Sequence, residues 1–249
     1  MGIQSIPEHE LARLREKAKE ITGSQFDYQS SYTELLSRRL NGEPLQYIEE
    51  YVPFYSIQIN VDQRCLIPRP ETEYMIEIIK NNIDTPKKIL DVGTGTGCIA
   101  LMMKKLFPDS EVHAVDISDD ALSLAKENAE INNLEVNFYQ SDLLSNVETL
   151  DFDLIVANLP YIPTSTLSTL TKEVIDHEPL IALDGGEDGR LYIDKLLNDL
   201  KNIDSKKLVL VLEVDTSHAE SLLSSFTDWE DVKLEKDLVE RDRYIVARK

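Results

Sequence analysis

The stretch Ile89-Leu90-Asp91-Val92-Gly93-Thr94-Gly95-Thr96-Gly97 constrains this chain more than any other. A short apolar strand runs into three glycines at alternate positions, and a helical pattern follows at once. A strand that passes through a glycine turn into a helix is the first half of a β-α-β unit, and such units build parallel sheets. The alternation continues. Strands are expected at 89–92, 112–115, 136–139, 154–157 and 208–214, the last the longest buried one. Helices are expected at 97–107, 119–132, 192–203 and 216–225. Two closing strands, 232–236 and 243–247, are joined too briefly for a helical crossover, so one of them is antiparallel. The fold class is α/β, a mostly parallel sheet with helices on both faces.

The first seventy residues read differently. Leu11, Leu14, Ala18 and Ile21 fall at helical spacing within residues 7–22, and the polar Gly23-Ser24-Gln25 follows. Ser30 or Ser31 is expected to cap a second helix through Leu35, Leu36 and Leu40, stopped by Gly42. This helical unit is too small to bury much alone. Residues 54–61 read as a strand, with Cys65-Leu66-Ile67 as its hairpin partner. Pro68-Arg69-Pro70 breaks regular structure, and Thr72 is expected to cap a helix carrying Tyr74, Met75, Ile78 and Ile79.

Composition narrows the function classes. With 249 residues and 42% hydrophobic content, the chain can bury a core, which excludes global disorder. No apolar run approaches the roughly 20 residues of a membrane span. Lys and Arg number 26 against 46 Asp and Glu, a net charge of −20. That charge repels polyanions and disfavours nucleic acid as a substrate. The start, Met1-Gly2-Ile3-Gln4-Ser5-Ile6-Pro7, has no basic region followed by an apolar one, so no secretory signal is expected. Two cysteines, Cys65 and Cys98, make no disulfide framework; a reducing cytosol, and so a cytoplasmic protein, is expected. No Cys/His cluster stands at ligand spacing, so no metal is expected.

The glycine turn has the spacing Asp-x-Gly-x-Gly-x-Gly, with Asp91 ahead of Gly93, Thr94, Gly95 and Gly97. No lysine is present to meet phosphates, and a carboxylate suits an ammonium-bearing ligand better. Asp116, followed by Ile117, ends the second strand, where an acid can take both ribose hydroxyls of an adenosine. Asp142, followed by Leu143, comes after the third strand and can meet the exocyclic amine of adenine. Any single acid among 46 is a surface group by default. Three acids in order, each at a strand's C-terminal end, read as an S-adenosylmethionine site. After the fourth strand comes Asn158-Leu159-Pro160-Tyr161. The Asn158 side-chain oxygen and the Leu159 carbonyl are two acceptors for the N–H bonds of a planar NH₂ group. Pro160 biases Leu159 toward extended backbone, and Tyr161 is expected to stack on the bound amide or base. Such a grip needs no strong base, because placement and exclusion of water supply the rate.

These motifs, together with Leu66-Ile67-Pro68-Arg69-Pro70-Glu71-Thr72-Glu73, resemble the HemK/PrmC protein-glutamine N5-methyltransferases. The similarity extends to Glu178-Pro179-Leu180-Ile181-Ala182-Leu183, Asp184-Gly185-Gly186-Glu187-Asp188-Gly189 and Leu212-Glu213-Val214. The resemblance implies a class I, Rossmann-like, seven-stranded methyltransferase fold over residues 71–249. It also implies a small N-terminal helical recognition domain over 1–50 and a β-hairpin linker over 51–70. It implies methyl transfer from S-adenosyl-L-methionine, leaving S-adenosyl-L-homocysteine, to the glutamine of the Gly-Gly-Gln loop of class one peptide chain release factors. Asn158, Leu159, Pro160 and Tyr161 are then the catalytic residues, Asn158 also touches the cofactor, and Arg69 and Pro70 join the substrate side, with Arg69 equally open to pairing with one of the nearby acids. A monomer is expected. Three features depart from the family: Leu159 replaces a usual proline, the N-terminal domain is short, and Asp215 stands where glycine is common. Two other readings compete. One keeps the chemistry on another protein glutamine, such as a ribosomal protein, or on an adenine or guanine amine. The other is a non-catalytic nucleoside-binding module.

Overall fold

The computed structural model describes residues 6–22, 27–148, 151–201 and 207–249. The chain opens with three helices, α1 (Glu8–Thr22), α2 (Tyr28–Leu40) and α3 (Leu45–Glu49). Leu14, Ala18, Leu35, Leu45 and Ile48 draw all three into a small core of their own. Arg13 pairs with Glu49 across this unit, and Arg39 with Glu10 at 2.6 Å. Ser30 and Ser31 do not cap α2; they lie inside it, and Asp27 is the N-cap. The polar stretch 23–25, the first five residues and Ile203 lie outside the described residues.

Next come β1 (Tyr51–Phe54) and β2 (Ile57–Asn60), paired antiparallel with Phe54 opposite Ile57. The single strand expected at 54–61 is thus two strands, and residues 65–67 form none. The cause is Tyr55, whose φ of +54° turns the chain back. Val52, Phe54, Ile57 and Ile59 then share one buried face, which fixes the register. Apolar residues on both sides of Tyr55-Ser56 had mimicked one continuous alternation.

The larger part runs α4 (Pro70–Asn82), β3 (Lys88–Val92), α5 (Cys98–Leu106), β4 (Glu111–Asp116), α6 (Asp119–Asn132), β5 (Asn137–Gln140), β6 (Leu154–Ala157), α7 (Lys172–His177), α8 (Leu191–Leu200), β7 (Val209–Glu213), α9 (Ala219–Leu222), β8 (Asp231–Lys236) and β9 (Asp242–Arg248). Thr72 is not the cap of α4: Arg69 is, and Pro70 takes the first helical position, where a missing N–H costs nothing. The helix expected from 216 begins at Ala219 and ends in a 3₁₀ turn, Leu223–Ser225. Seven strands form one sheet in the order β5-β4-β3-β6-β7-β9-β8. All neighbours are parallel except β9, which is antiparallel to both β7 and β8.

Strands buried on both faces feed two core layers by simple alternation. Ile89, Val209 and Val211 point to the layer holding α4 and α5, with Met75, Ile79 and Met102. Leu90, Val92, Leu210 and Leu212 point to the opposite layer, with Leu196 of α8 and Leu222 of α9. The β1-β2 hairpin packs into the first layer. Buried Asn128 of α6 fastens it there. Its Oδ1 accepts the Asn60 N–H at 2.7 Å, while its Nδ2 donates to the Asn60 and Thr96 carbonyls. One side chain thereby ties the hairpin to the glycine turn. Among the described residues no helix is long and apolar enough to cross a membrane.

Candidate active site

The C-terminal ends of β3, β4, β5 and β6 converge on one cleft, the edge at which open α/β sheets bind ligands. The cleft holds about 1040 Å³ of empty space, counting the part open to solvent. Its floor is the glycine turn. The N–H groups of Gly93 and Thr94 both donate to the Val115 carbonyl at 2.9 Å, hooking the turn onto β4. Gly93 sits at φ +73°, and a β-carbon there would stand 2.9 Å from Cδ2 of Leu159. A glycine is therefore needed twice over at this point, for conformation and for space.

Asp91 lies beneath the turn rather than in the cleft wall. Its Oδ2 accepts the Thr94 hydroxyl at 2.7 Å and the Ala100 N–H at 3.1 Å, while Oδ1 is buried with no partner among the described residues. Full burial pushes this carboxyl up to about 7, against the pull of those two donors. Gly97 also stays out of the cleft and packs its α-carbon toward Ala125. Cys98 follows it, and burial pushes its thiol up to about 12, so it is a packing residue.

Asp116 reaches the cleft at the end of β4. Its Oδ2 accepts the Gly95 N–H at 2.8 Å and its Oδ1 the Ser118 N–H at 3.0 Å. Burial raises its pKa above the ordinary range, with the backbone donors opposing. Each oxygen keeps a lone pair for a further donor. Ile117 stands half-exposed beside it, and Asp142 sits exposed at the rim. Leu143 is buried at φ +49°, a left-handed conformation that costs a leucine roughly 1–2 kcal/mol.

The opposite wall is the turn after β6. Asn158, Leu159 and Pro160 line the cleft; Tyr161 does not. The Asn158 Nδ2 donates to the Thr72 hydroxyl at 2.9 Å, which leaves its oxygen to the cleft. The Leu159 side chain is buried with its Cδ2 against Gly93, and burying a whole leucine side chain is worth about 2 kcal/mol. The Tyr161 ring packs into the second core layer, and its hydroxyl donates to Oε1 of Glu213 at 3.3 Å. Its expected stacking place on a bound amide is thus taken by core. Burial, then the Glu213 carboxylate, keeps the Tyr161 phenol neutral.

Two features hold this wall that residue types alone did not disclose. The loop Asp184 to Gly189 grips the backbone of the Asn158 turn. Ile162 donates to Leu183, and Gly185 returns a bond to the Ile162 carbonyl at 2.8 Å. A β-carbon on Gly189 would stand 2.3 Å from the Tyr161 carbonyl oxygen. Glu178 is the other. Its buried carboxylate accepts the Ile67 N–H at 3.1 Å and pairs with Arg69 at 2.5 Å. Arg69, expected on the substrate side, is therefore engaged in joining segment 67–72 to segment 178–182. Pro70 opens α4 outside the cleft lining.

The residues in the cleft fit S-adenosylmethionine chemically. Asp116 offers paired acceptors for a diol, Ile117 and Leu143 offer apolar flanks for a flat ring, and Asp142 offers an acceptor for an exocyclic amine. The bare backbone at Gly95, where a β-carbon would meet nothing within 4 Å, leaves room beside them.

A family model described as methyltransferase small domain matches residues 70–193. The release factor glutamine methyltransferase of Koribacter versatilis is 38% identical over 226 residues, 90% of this chain and 81% of that one. That of Bacillus cereus is 34% identical over 247 residues, 95% of this chain and 85% of that one. The crystal structure of a methyltransferase from Pyrococcus furiosus superposes with a TM-score of 0.59 at 20% identity, covering 87% of this chain and 98% of that one. At that identity the likeness is one of fold.

Proposed function

From the premise that the chain belongs to the release factor glutamine methyltransferase family, and is a methyltransferase that uses S-adenosylmethionine on protein glutamine, we propose that its target is the side-chain amide N5 of the Gly-Gly-Gln glutamine in class one release factors. The observation that carries this reading is Asn158 at the cleft wall, its NH₂ held by Thr72 and its oxygen left to the cleft.

The cofactor, when bound, supplies a methyl group already activated by a sulfonium. Asp116, Ile117, Asp142, Leu143 and the turn through Gly93, Thr94 and Gly95 hold it; Asp91 and Gly97 act on it only through the shape of that turn. The Asn158 oxygen and the Leu159 carbonyl accept the two N–H bonds of the substrate amide, and Pro160 helps to aim that carbonyl. Accepting both hydrogens pushes electron density back onto the nitrogen and orients it toward the methyl group; the N-methylated amide keeps one of the two hydrogens and gives up the other as a proton to solvent at the open cleft. Tyr161 acts from behind the turn. Leu159 does by packing on Gly93 what a proline ring does by fixing φ.

Residues 1–50 are the recognition domain, 51–70 the linker and 71–249 the methyltransferase domain. A separate core in the helical unit supports this division, and the 3.2 Å contact of Arg39 with Glu173 brings that unit beside the segment after the Asn158 turn. One chain carries every residue named, which supports action as a monomer. Two unpaired cysteines support a reducing, cytoplasmic setting.

The test is mass spectrometry of release factor after incubation with the protein and S-adenosylmethionine. One methyl on the Gly-Gly-Gln glutamine is expected. Methyl in RNA or DNA with none in release factor would reverse the assignment.

A further inference from the structure

We propose that Arg64 and Glu127 are positioning residues for the cofactor: they pin the linker to α6 and so set how tightly S-adenosylmethionine is held and how fast it leaves. The inference rests on the reading of the cleft as the cofactor site, and adds to that site a side that the sheet does not supply. Segment 64–68 lies between the β1-β2 hairpin and α4, and Arg64, Cys65, Leu66 and Pro68 line the cleft. The glycine turn and Asp116 line it from the sheet, and Ala121 lines it from α6. The linker is therefore a third side of the same space.

That side is fastened in two different ways. One set of partners is buried. The Tyr47 hydroxyl donates to the Cys65 carbonyl at 2.7 Å, and the buried Glu178 carboxylate accepts the Ile67 N–H at 3.1 Å. The other fastening is Arg64. Its Nη1 and Nη2 donate to the two carboxylate oxygens of Glu127 at 2.7 and 2.9 Å, a two-pronged pair across 63 positions of chain. Asp62 aims the guanidinium. Its Oδ1 accepts the Arg64 N–H and Nε, both at 2.9 Å, and its Oδ2 accepts Nη2 at 2.7 Å. A guanidinium held along two edges loses little freedom on meeting a carboxylate, which lifts this pair above an ordinary surface contact. Asn128 already fastens α6 to the hairpin at Asn60, and Arg64 carries the fastening on to the segment that lines the cleft. There Cys65 meets Ala121 and Leu124 of α6 in a small apolar cluster. The Arg64 and Glu127 side chains are 29% and 48% exposed, so dissolved salt reaches this fastening and not the buried one. It is thus the end of the linker that can part from α6 while Tyr47 and Glu178 hold.

Three variants test this: Arg64→Met, which keeps the stem and removes the charge, Glu127→Gln, and the two combined. Affinity for S-adenosylmethionine and S-adenosylhomocysteine is measured by calorimetry, and release by a chase of labelled cofactor. Amide hydrogen exchange over residues 62–68 is followed in the cofactor-free protein. Arg64→Met is expected to raise both Kd values about 3- to 5-fold through faster release, and to speed exchange over 62–68. The difference from wild type should fall below about 2-fold near about 1 M salt, where charges are screened beyond about 3 Å. The double variant should match Arg64→Met within about 1.5-fold, because each group works through the other. The proposal is overturned if Arg64→Met leaves Kd and release unchanged, or if the effects of the single variants multiply in the double. Asp116→Ala separates the pair from the site. Weaker binding there with none lost in Arg64→Met removes the pair alone. Unchanged binding in Asp116→Ala removes the cofactor reading of the cleft, and the proposal with it. Neither outcome depends on which protein is methylated.

Discussion

The two walls of the cleft are held by different kinds of bond. On the wall proposed to hold the cofactor the donors are backbone groups: Gly93 and Thr94 N–H on the Val115 carbonyl, and Gly95 and Ser118 N–H on the Asp116 side chain. On the wall proposed to hold the substrate they are side chains and close backbone contacts from afar. Asn158 leans on Thr72, 86 positions away, and Tyr161 on Glu213, 52 positions away. A backbone brace survives most substitutions, because every residue but proline carries the N–H. A side-chain brace fails with one. The cofactor wall should therefore degrade gradually under mutation and the substrate wall abruptly.

The largest effect expected is that of Asn158→Ala. Loss of an aimed polar group should lower kcat/KM about 10²- to 10³-fold, with cofactor affinity changed less than about 3-fold. Steady-state kinetics beside calorimetric titration reads both, and an equal loss in the two would show that the walls do not act separately. Gly189→Ala comes next. Its β-carbon meets the Tyr161 carbonyl oxygen at φ +76°, and a cost of about 2–3 kcal/mol in a urea melt is expected. Gly95→Ala, which meets nothing, should cost only the left-handed backbone, about 1–2 kcal/mol. Equal melts would break the contrast between a crowded wall and an open one. Asp116→Ala should weaken cofactor binding about 10-fold and leave the KM for release factor unchanged. An unaltered cofactor Kd would remove the ribose assignment.

The smallest effect sharpens the comparison through pH. Asp91 under one wall and Glu213 behind the other are both pushed up to about 7 by burial. The unfolded chain releases these protons near pH 4, the folded one near 7, so in between the unfolded state binds fewer. Their contribution to stability is full below about pH 4 and is lost as pH rises toward 7, at most about 1.4 kcal/mol per group per pH unit. Asp91→Asn and Glu213→Gln should each flatten the fall of the urea midpoint between pH 5 and 7. An unchanged slope in either variant would show that its group does not titrate there.

The same contrast explains what the sequence disclosed. The alternation from β3 to α6 was legible because each element declares itself within a few residues, and helix Asp119–Asn132 falls where periodicity puts it. The glycine turn was legible for that reason too, but not that Asp91 lies beneath it and outside the cleft. The fastening of the substrate wall was not. Nothing near Thr72 says that its hydroxyl meets Asn158, so it read as a helix cap. Glu213 read as part of a buried strand, and Arg69 as a substrate-side residue or the partner of an unnamed acid, because their partners lie across the fold. The hairpin register failed on one backbone angle at Tyr55, which residue types do not specify.

The position of β9 carries a consequence for synthesis. This strand, the last in chain order, lies between β7 and β8. A nascent chain that has emerged only through β8 therefore holds the apolar strand Val209–Glu213 with one bare edge and leaves β8 with no neighbour to pair. Such edges recruit other chains. The carboxyl of Glu213 also waits until then for its surroundings, since Tyr244 and Arg243 arrive with β9. The wall that carries Asn158 thus waits for β9, and a chain that has emerged only through β8 has its glycine turn formed and its sheet still open.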